Sequence, residues 1–323
     1  MVNWTYGDRY WLRILEKPEE MAAVESLQRI VWPGNETEIV PVHLLMAAAH
    51  NGGLVIGAYY VAENIPTDPP PESALNPQVP PESPLVGFVF GFPGLYPDAD
   101  KQCIKHCSHM LGVLPDHRDQ GIGFALKRAQ WQMVRHQRLD LITWTYDPLL
   151  SRNAHLNISR LGAVCNTYRR DEYGELQDSL NLGLPTDRFQ VNWWINSQRV
   201  FQRLSKQARL RLDLAHFLAA EAVILNPTHL GVGELAIPDS SVESRLDEII
   251  QSGEMAKLVL IEIPADFQAI KTQAPQFAYD WRMHTRFIFE ELFQTGYLIT
   301  DFVFLPGKYP RSFYVASHGE TTL

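Results

Sequence analysis

The stretch Leu111-Gly112-Val113-Leu114-Pro115-Asp116-His117-Arg118-Asp119-Gln120-Gly121-Ile122-Gly123 carries the most specific chemical signal in the chain. Cys107 to Pro115 is apolar enough for an interior strand. Beyond the glycines, Ile122, Ala125, Leu126, Ala129 and Met133 recur at helical spacing, which predicts a helix to about Arg138. Two glycines at the mouth of a helix let backbone N–H groups converge on an anion, and the first-turn amides and helix dipole add partial positive charge. Arg118, three residues before Gly121, brings a full charge. The turn is a cradle of diphosphate size. It lacks the third glycine of a dinucleotide fingerprint and the Gly-Lys-Ser/Thr ending of a P-loop, so neither nucleotide motif applies.

Upstream, Met21, Val24, Leu27, Ile30 and Val31 predict a helix over Pro18 to Val31, ending at Trp32-Pro33-Gly34. A second helix is expected from Pro41 to His50, stopped by Asn51-Gly52-Gly53. Strand-like runs follow at Leu54 to Ala62 and Pro84 to Phe92. Residues 64–84 hold eight of the 22 prolines and read as an extended excursion between the two strands, since proline removes ladder donors.

Downstream, Asp140 to Tyr146 reads as a strand, Ser151 to Leu161 as a helix closed by Gly162, and Ala163 to Arg169 as a strand. This alternation predicts an α/β layer structure. Past Gly183-Leu184-Pro185 the character changes to a charged, helix-prone stretch around Gln198 to Leu214. The domain boundary is therefore expected near residue 190, giving domains 1–190 and 191–323. In the second, Lys257 to Pro264 and Tyr297 to Phe304 read as strands. Between them, Tyr279 to Phe293 reads as a helix with Trp281, Phe287, Ile288 and Leu292 on one face.

At 323 residues the chain is about twice the usual domain length, and 46% hydrophobic content supplies at least one core. A net charge of −9 argues against nucleic acid as the main partner. Cys103, Cys107 and Cys165 are too few and too odd in number for a disulfide framework. With an N-terminus that has no signal-length apolar core, they predict a reduced, cytoplasmic setting. No run of about 18 uncharged apolar residues occurs, so no membrane span is expected. Cys103, His106, Cys107 and His109 match no common zinc spacing. On a strand, His106 faces away from the other three, so no metal is expected. No Gly-x-Ser-x-Gly elbow or His-Glu-x-x-His helix supports a hydrolase.

Arg118-Asp119-Gln120-Gly121-Ile122-Gly123 resembles the signature of the GNAT superfamily of acyl-CoA-dependent N-acetyltransferases: Arg or Gln, two residues, Gly, one residue, Gly or Ala, between the fourth strand and third helix. The resemblance covers about residues 5–183, with Leu54 to Ala62 and Leu85 to Phe92 as second and third strands. It implies a GNAT-type mixed β-sheet flanked by helices and acetyl-CoA as cosubstrate. Transfer would be to an amine, on a small molecule or a protein, by direct attack. It implies that amides of Arg118, Asp119, Gln120, Gly121, Ile122, Gly123 and Phe124 hold the pyrophosphate, and that the strand through Val113 lies along the pantetheine arm. By position, Leu111 supplies the backbone N–H for the developing oxyanion. His109 is the candidate base, since its pKa range suits an attacking ammonium; the bland reading is a structural histidine hydrogen-bonded in the sheet. Lys127 and Arg128 are either phosphate contacts or solvated helix cations.

The later part of the family pattern departs. It reads Asn, two residues, Ala, two residues, an apolar residue, then a proton-donating Tyr, with Gly four residues on. Anchored on Gly162, this chain has Ser151, Ala154 and Ile158 at those positions, so the usual acid is missing. Tyr146, Tyr168 or a water on Asn157 are the substitutes; Tyr168 is taken as the candidate acid, with Ser151 and Asn157 as cofactor contacts. Tyr168, Arg170, Asp171 and Tyr173 are candidate acceptor-site residues.

The second half parallels strand, helix, strand without a glycine cradle and is expected to be a second α/β domain, a degenerate GNAT-like half. Trp281-Arg282-Met283-His284-Thr285-Arg286 stands where the cradle would be, and its bulk would block a pyrophosphate. The expectation is that this half binds no CoA and serves packing, homodimer contact or an acceptor-site wall. The whole resembles a class of bacterial predicted GNAT proteins with an extended C-terminal part. The rival from another class is a catalytically idle CoA-binding or structural protein, favoured by Ile158.

Overall fold

Short continuous apolar runs account for several strands of the computed structural model, and proline starts two of its longest helices. It is described at all residues except 1–4, 7–8, 35, 63–78, 80–81, 175–182, 206–211, 232–233, 239–240, 252–255 and 320–323. The chain divides into two compact units, Met1–Trp144 and Thr145–Leu323. This division by contacts falls upstream of the sequence-based boundary near residue 190. The proline-rich excursion lies almost wholly outside the described residues.

In the first unit the strands are β1 (Thr5–Tyr6), β2 (Tyr10–Ile14), β3 (Leu54–Tyr60), β4 (Leu85–Asp98), β5 (Lys101–Val113) and β6 (Leu141–Tyr146), whose last two residues belong to the second unit. They pair in chain order, antiparallel except that β5 and β6 are parallel. Helix α1 (Pro18–Val31) starts at a proline, and Glu20 folds back to accept from the N–H groups of Glu16 and Lys17. It packs with α2 (Val42–His50) on one sheet face, burying Met21, Val24, Leu27 and Leu45 against Val55, Phe88 and Phe90. Ile30, expected on that face, is 58% exposed. Helix α3 (Ile122–His136) covers the other face, where Ile122, Ala125, Leu126 and Ala129 meet Leu12, Ile56, Ala58 and Val89. Each fully buried aliphatic side chain of this kind contributes about 1.5–3 kcal/mol.

Strands β4 and β5 run past the expected ends, pairing from Gly87↔Val113 to Asp98↔Lys101 around a turn with Ala99 at φ 49°. Phe92-Pro93-Gly94-Leu95-Tyr96-Pro97 holds two prolines and one glycine, residues that ordinarily interrupt a ladder. Cross-strand pairs Tyr96↔Cys103 and Leu95↔Ile104 nevertheless continue the ladder, with Leu95 64% and Ile104 54% exposed.

In the second unit a short helix, α4 (Ser151–Ala154), continues as a π-helical stretch (His155–Arg160), in which Leu161 N–H donates to Leu156 C=O. Then come β7 (Val164–Arg169), β8 (Arg188–Trp194), α5 (Gln198–Leu204), α6 (Leu214–Ala219), β9 (Val223–Ile224), β10 (His229–Leu230), β11 (Ala236–Ile237) and α7 (Val242–Gln251). The chain closes with β12 (Leu258–Ile263), α8 (Phe267–Gln273), α9 (Pro275–Gln294), β13 (Leu298–Leu305) and β14 (Arg311–Ser317). The charged stretch is not one helix to Leu214: α5 ends at Leu204, where Ser205 turns extended at ψ 151°.

Strand order in this unit is β8-β7-β13-β14-β12-β9. The hairpins β7–β8 and β13–β14 each follow a helix and meet antiparallel through Cys165↔Ile299, a palindromic order that gives the expected echo a definite topology. Two details of that echo are corrected. Trp281 to Arg286 lies in the middle of α9 and not at a strand-to-helix turn, because Pro275 starts the helix. Phe287 is 36% exposed, and the buried face is Trp281, Thr285, Ile288, Phe289 and Leu292.

Candidate active site

The open edge of β5 and the head of α3 form the candidate site, both within the first unit. The register between β4 and β5 slips at one point: Gly91 faces Ser108 and Phe90 faces Met110, leaving His109 as an extra residue. Before the slip, His106 and Ser108 point to the α3 face. After it, Leu111 and Val113 do so. His109 lies on the opposite face, its ring against Phe90 and Phe92 at centroid distances of 5.9 and 5.8 Å. A strictly alternating strand would have placed His109 and Leu111 together.

On its far side β5 pairs with β6 only through His106↔Ile142 and Cys107↔Thr143. Leu114 N–H donates to Val86 C=O at 2.9 Å, so by alternation the amides of Gly112 and Met110 also face β4. Those of Leu111 and Val113 therefore face the edge that, among the described residues, no strand covers. On that edge the Val113 carbonyl accepts from Arg118 Nε at 3.2 Å.

The turn after β5 is a 3₁₀ segment, Pro115–His117, followed by Asp119 at φ 62° and Gly121 at φ 80°. Left-handed residues within a turn direct successive backbone N–H groups inward to form an anion-binding concavity. Gly121 caps α3 with no side chain, and the first α-helical bond is Ala125 N–H to Gly121 C=O at 3.0 Å, downstream of the amides of Ile122 and Gly123. Arg118 is exposed, and its terminal nitrogens make no hydrogen bond among the described residues. The exposed Arg118 guanidinium and a helix head with no side-chain cap converge on one turn, which suits a diphosphate.

Desolvation lowers the pKa of His109, so the imidazole is weighted toward the neutral form that accepts a proton. Behind the strand lies a buried polar cluster that the sequence did not reveal. Lys127 Nζ donates to Ser108 Oγ at 2.7 Å and Gln130 Oε1 at 3.3 Å, and lies 3.7 Å from the Trp144 ring centroid. Ser108 Oγ donates to Gln130 Oε1 at 2.9 Å, and Gln130 Nε2 lies 3.1 Å from His106 Nε2. Burial holds Lys127 well below the usual lysine range, and burial followed by the Lys127 charge pushes His106 down to about 3. Lys127 is thus neither a phosphate contact nor a solvated cation. At helical spacing its long stem reads as surface, and only the packing of α3 on β5 shows that it is inside.

Ser151, Asn157 and Tyr168 belong to the second unit and are engaged there. Ser151 Oγ lies 2.8 Å from Ser312 Oγ, and Asn157 is buried with its backbone carbonyl accepting from Ala163 N–H. Tyr168 donates to Asp187 Oδ2 at 2.7 Å, and burial raises its pKa strongly. This spends its proton inside a network in which Arg286 also clasps Asp187. Arg170 pairs with Glu290, Asp171 accepts from Thr186, and Tyr173 meets Thr145. Ile158 is fully buried. Along α9, Arg282, Arg286 and Glu290 stand one turn apart and pair with Asp147, Asp187 and Arg170, a ladder that sequence spacing could not reveal because its partners are over 90 residues away. Among the described residues no group of three or more His, Cys, Asp or Glu side chains could hold a metal ion, and no helix is long and apolar enough to cross a membrane.

No protein-family model and no curated protein matches this chain. Among solved structures it is similar to NAA60 from Arabidopsis thaliana in complex with acetyl-CoA, at 16% identity and TM-score 0.41, over 57% of this chain and 99% of that one. It is similar to the ribosomal-protein-S18-alanine N-acetyltransferase from Escherichia coli at 11% identity and TM-score 0.40, over 62% of this chain and 99% of that one. It is also similar to a GNAT-family acetyltransferase from Streptococcus pneumoniae at 12% identity and TM-score 0.38, over 57% and 97% respectively. Likenesses this distant carry nothing about chemistry, which rests on the residues of the site.

Proposed function

We propose that the chain is an acetyl-CoA-dependent acyltransferase that acetylates an amine by direct attack, with its cofactor cradle and transfer edge in the first unit. The observation that carries this reading is the edge of β5 left uncovered among the described residues, with the Leu111 and Val113 amides facing outward, running into a glycine-capped helix head beside Arg118, whose Nε is held by the Val113 carbonyl. Acetyl-CoA supplies the acetyl thioester. The amides of Ile122 and Gly123, with Arg118, bind its diphosphate; the Val113 edge extends alongside the pantetheine arm.

The Leu111 N–H donates to the thioester oxygen as negative charge develops there. A fixed backbone dipole does this without reorganisation and is worth about 3 kcal/mol in comparable oxyanion sites. His109, on the opposite face at the bulge, takes the proton from the attacking ammonium. The amine nitrogen bonds to the carbonyl carbon, the carbon–sulfur bond breaks, and the thiolate leaves, a group that needs little protonation. Tyr168 receives no role, because its hydroxyl is committed to Asp187. Residues 1–190 are assigned to this activity.

Titrating acetyl-CoA while following tryptophan fluorescence tests the proposal. Saturable binding is expected, and Arg118→Glu should weaken it at least tenfold, as charge reversal beside a diphosphate removes one attraction and adds one repulsion. No binding at millimolar acetyl-CoA would refute it. The fully buried Ile158 at the position of the family's proton donor favours a second reading, an idle CoA-binding protein. CoA binding without acyl transfer across a broad amine panel would support that reading.

A further inference from the structure

The turn between β5 and α3 contains a non-glycine residue, Asp119, in the left-handed region at φ 62°, and Gly121 at φ 80°, with Gln120 between them. Left-handed backbone is unfavourable for a residue with a Cβ. A turn of this shape persists only where its surroundings hold it. The holding contact comes from the first long strand. Tyr10 of β2 is 7% exposed, and its hydroxyl lies 2.5 Å from Gln120 Oε1 and 3.1 Å from His117 Nδ1.

The hydroxyl has one proton, and an amide oxygen can only accept, so the proton goes to Gln120. Tyr10 Oη must then accept from His117 Nδ1–H, which places a proton on that ring nitrogen. Gln120 Nε2 lies 3.5 Å from the Asp116 carbonyl, consistent with that amide orientation. Burial, then the neighbouring Tyr60, raises the Tyr10 pKa, which keeps the hydroxyl protonated as this arrangement requires. The Tyr60 ring packs on Tyr10 and His117 at centroid distances of 5.7 and 5.3 Å and closes the cluster.

We propose that Tyr10 is a positioning residue for the cosubstrate: it latches His117 at one end of the turn and Gln120 at the other. The amides of Ile122 and Gly123 are thereby held in place before any diphosphate arrives. This inference rests on the acetyl-CoA cradle proposed above. Tyr10 touches no substrate; it removes the ordering that a loose turn would undergo on binding, and pre-organisation of that kind appears as affinity.

The test uses the full-length chain and acetyl-CoA calorimetry on wild type, Tyr10→Phe, Gln120→Met and the double variant, with steady-state kinetics on any accepted amine. Tyr10→Phe keeps the ring and its packing. The expected result is about tenfold weaker binding in Tyr10→Phe, a loss no larger than that in Gln120→Met, and no loss in the double variant beyond that of Tyr10→Phe, because the bond to Gln120 is shared by the two single variants. The KM for acetyl-CoA should rise while kcat and the KM for the amine hold, a split that general loosening of the fold would not produce. Wild-type binding with unchanged affinity in Tyr10→Phe overturns the latch and leaves the cradle standing. Independent, additive losses also overturn it. Absent binding in wild type overturns the cradle, and the latch with it. If Tyr10→Phe does not fold, Gln120→Met breaks the same bond from the exposed side.

Discussion

Lowering the pH from 7 to 4 should destabilise the first unit through His106. The ring is fully buried, Nε2 faces Gln130 Nε2, and among the described residues Nδ1 has no hydrogen-bond partner and no carboxylate pairs with Lys127 beside it. Burial is the larger cause and the Lys127 charge the smaller, and together they lower the His106 pKa from 6.5 to about 3. The folded-state value lies below the unfolded one, so between pH 6.5 and 3 the unfolded chain binds the extra proton and stability falls as pH falls. At pH 4 the window crossed is about 2.5 pH units, which at 1.36 kcal/mol per unit is a loss of about 3 kcal/mol. That is a large part of a typical domain's stability. Histidine Cε1–H resonances, with His106 assigned from His106→Gln, should show no titration of this ring between pH 8 and 4. Urea midpoints at pH 7 and 4 should fall further apart in wild type than in His106→Gln. A His106 resonance titrating near pH 6 would refute the burial argument.

Gly91 stands where the bulge brings β4 against this cluster. An added Cβ would meet His106 Nε2 at 2.3 Å and the Cys107 carbonyl at 2.6 Å. Gly91→Ala should therefore lower stability by about 1–3 kcal/mol, read as a drop in thermal midpoint, because the backbone oxygen cannot swing aside. In the second unit, Arg282 clasps Asp147 at 2.9 and 2.6 Å with both side chains buried. Arg282→Met leaves a buried carboxylate unpaired and should cost about 3–5 kcal/mol in urea unfolding. Adding Asp147→Asn should recover part of that loss, and a double variant worse than the single would contradict the pair's role.

Much of the architecture could be read locally. Pro18, the Asn51-Gly52-Gly53 stop and the Gly121 cap fix their helix ends because each acts on its own neighbours through φ or a missing N–H. The β4–β5 extension escaped because Pro93, Gly94 and Pro97 signal a turn, while the pairing that overrides them comes from residues 101–106. The bulge at His109 escaped for a related reason. An extra residue is defined only against the partner strand, and its count depends on Gly91 tolerating close approach. Lys127 has the spacing of a surface cation until Ser108, Gln130 and Trp144 are seen around it.

The sequence by itself determined the glycine cradle, the charge of Arg118 beside it and the strand, turn and helix that present them, since all of these act over a dozen consecutive residues. It also placed an isoleucine, Ile158, four residues before Gly162. Only the tertiary structure decided which β5 amides face an uncovered edge and on which side His109 lies. It likewise revealed that Tyr10, 107 residues before His117, reaches the cradle's turn. Those outcomes depend on strand register and on contacts between residues far apart in the chain, and neither quantity exists until the sheet has formed.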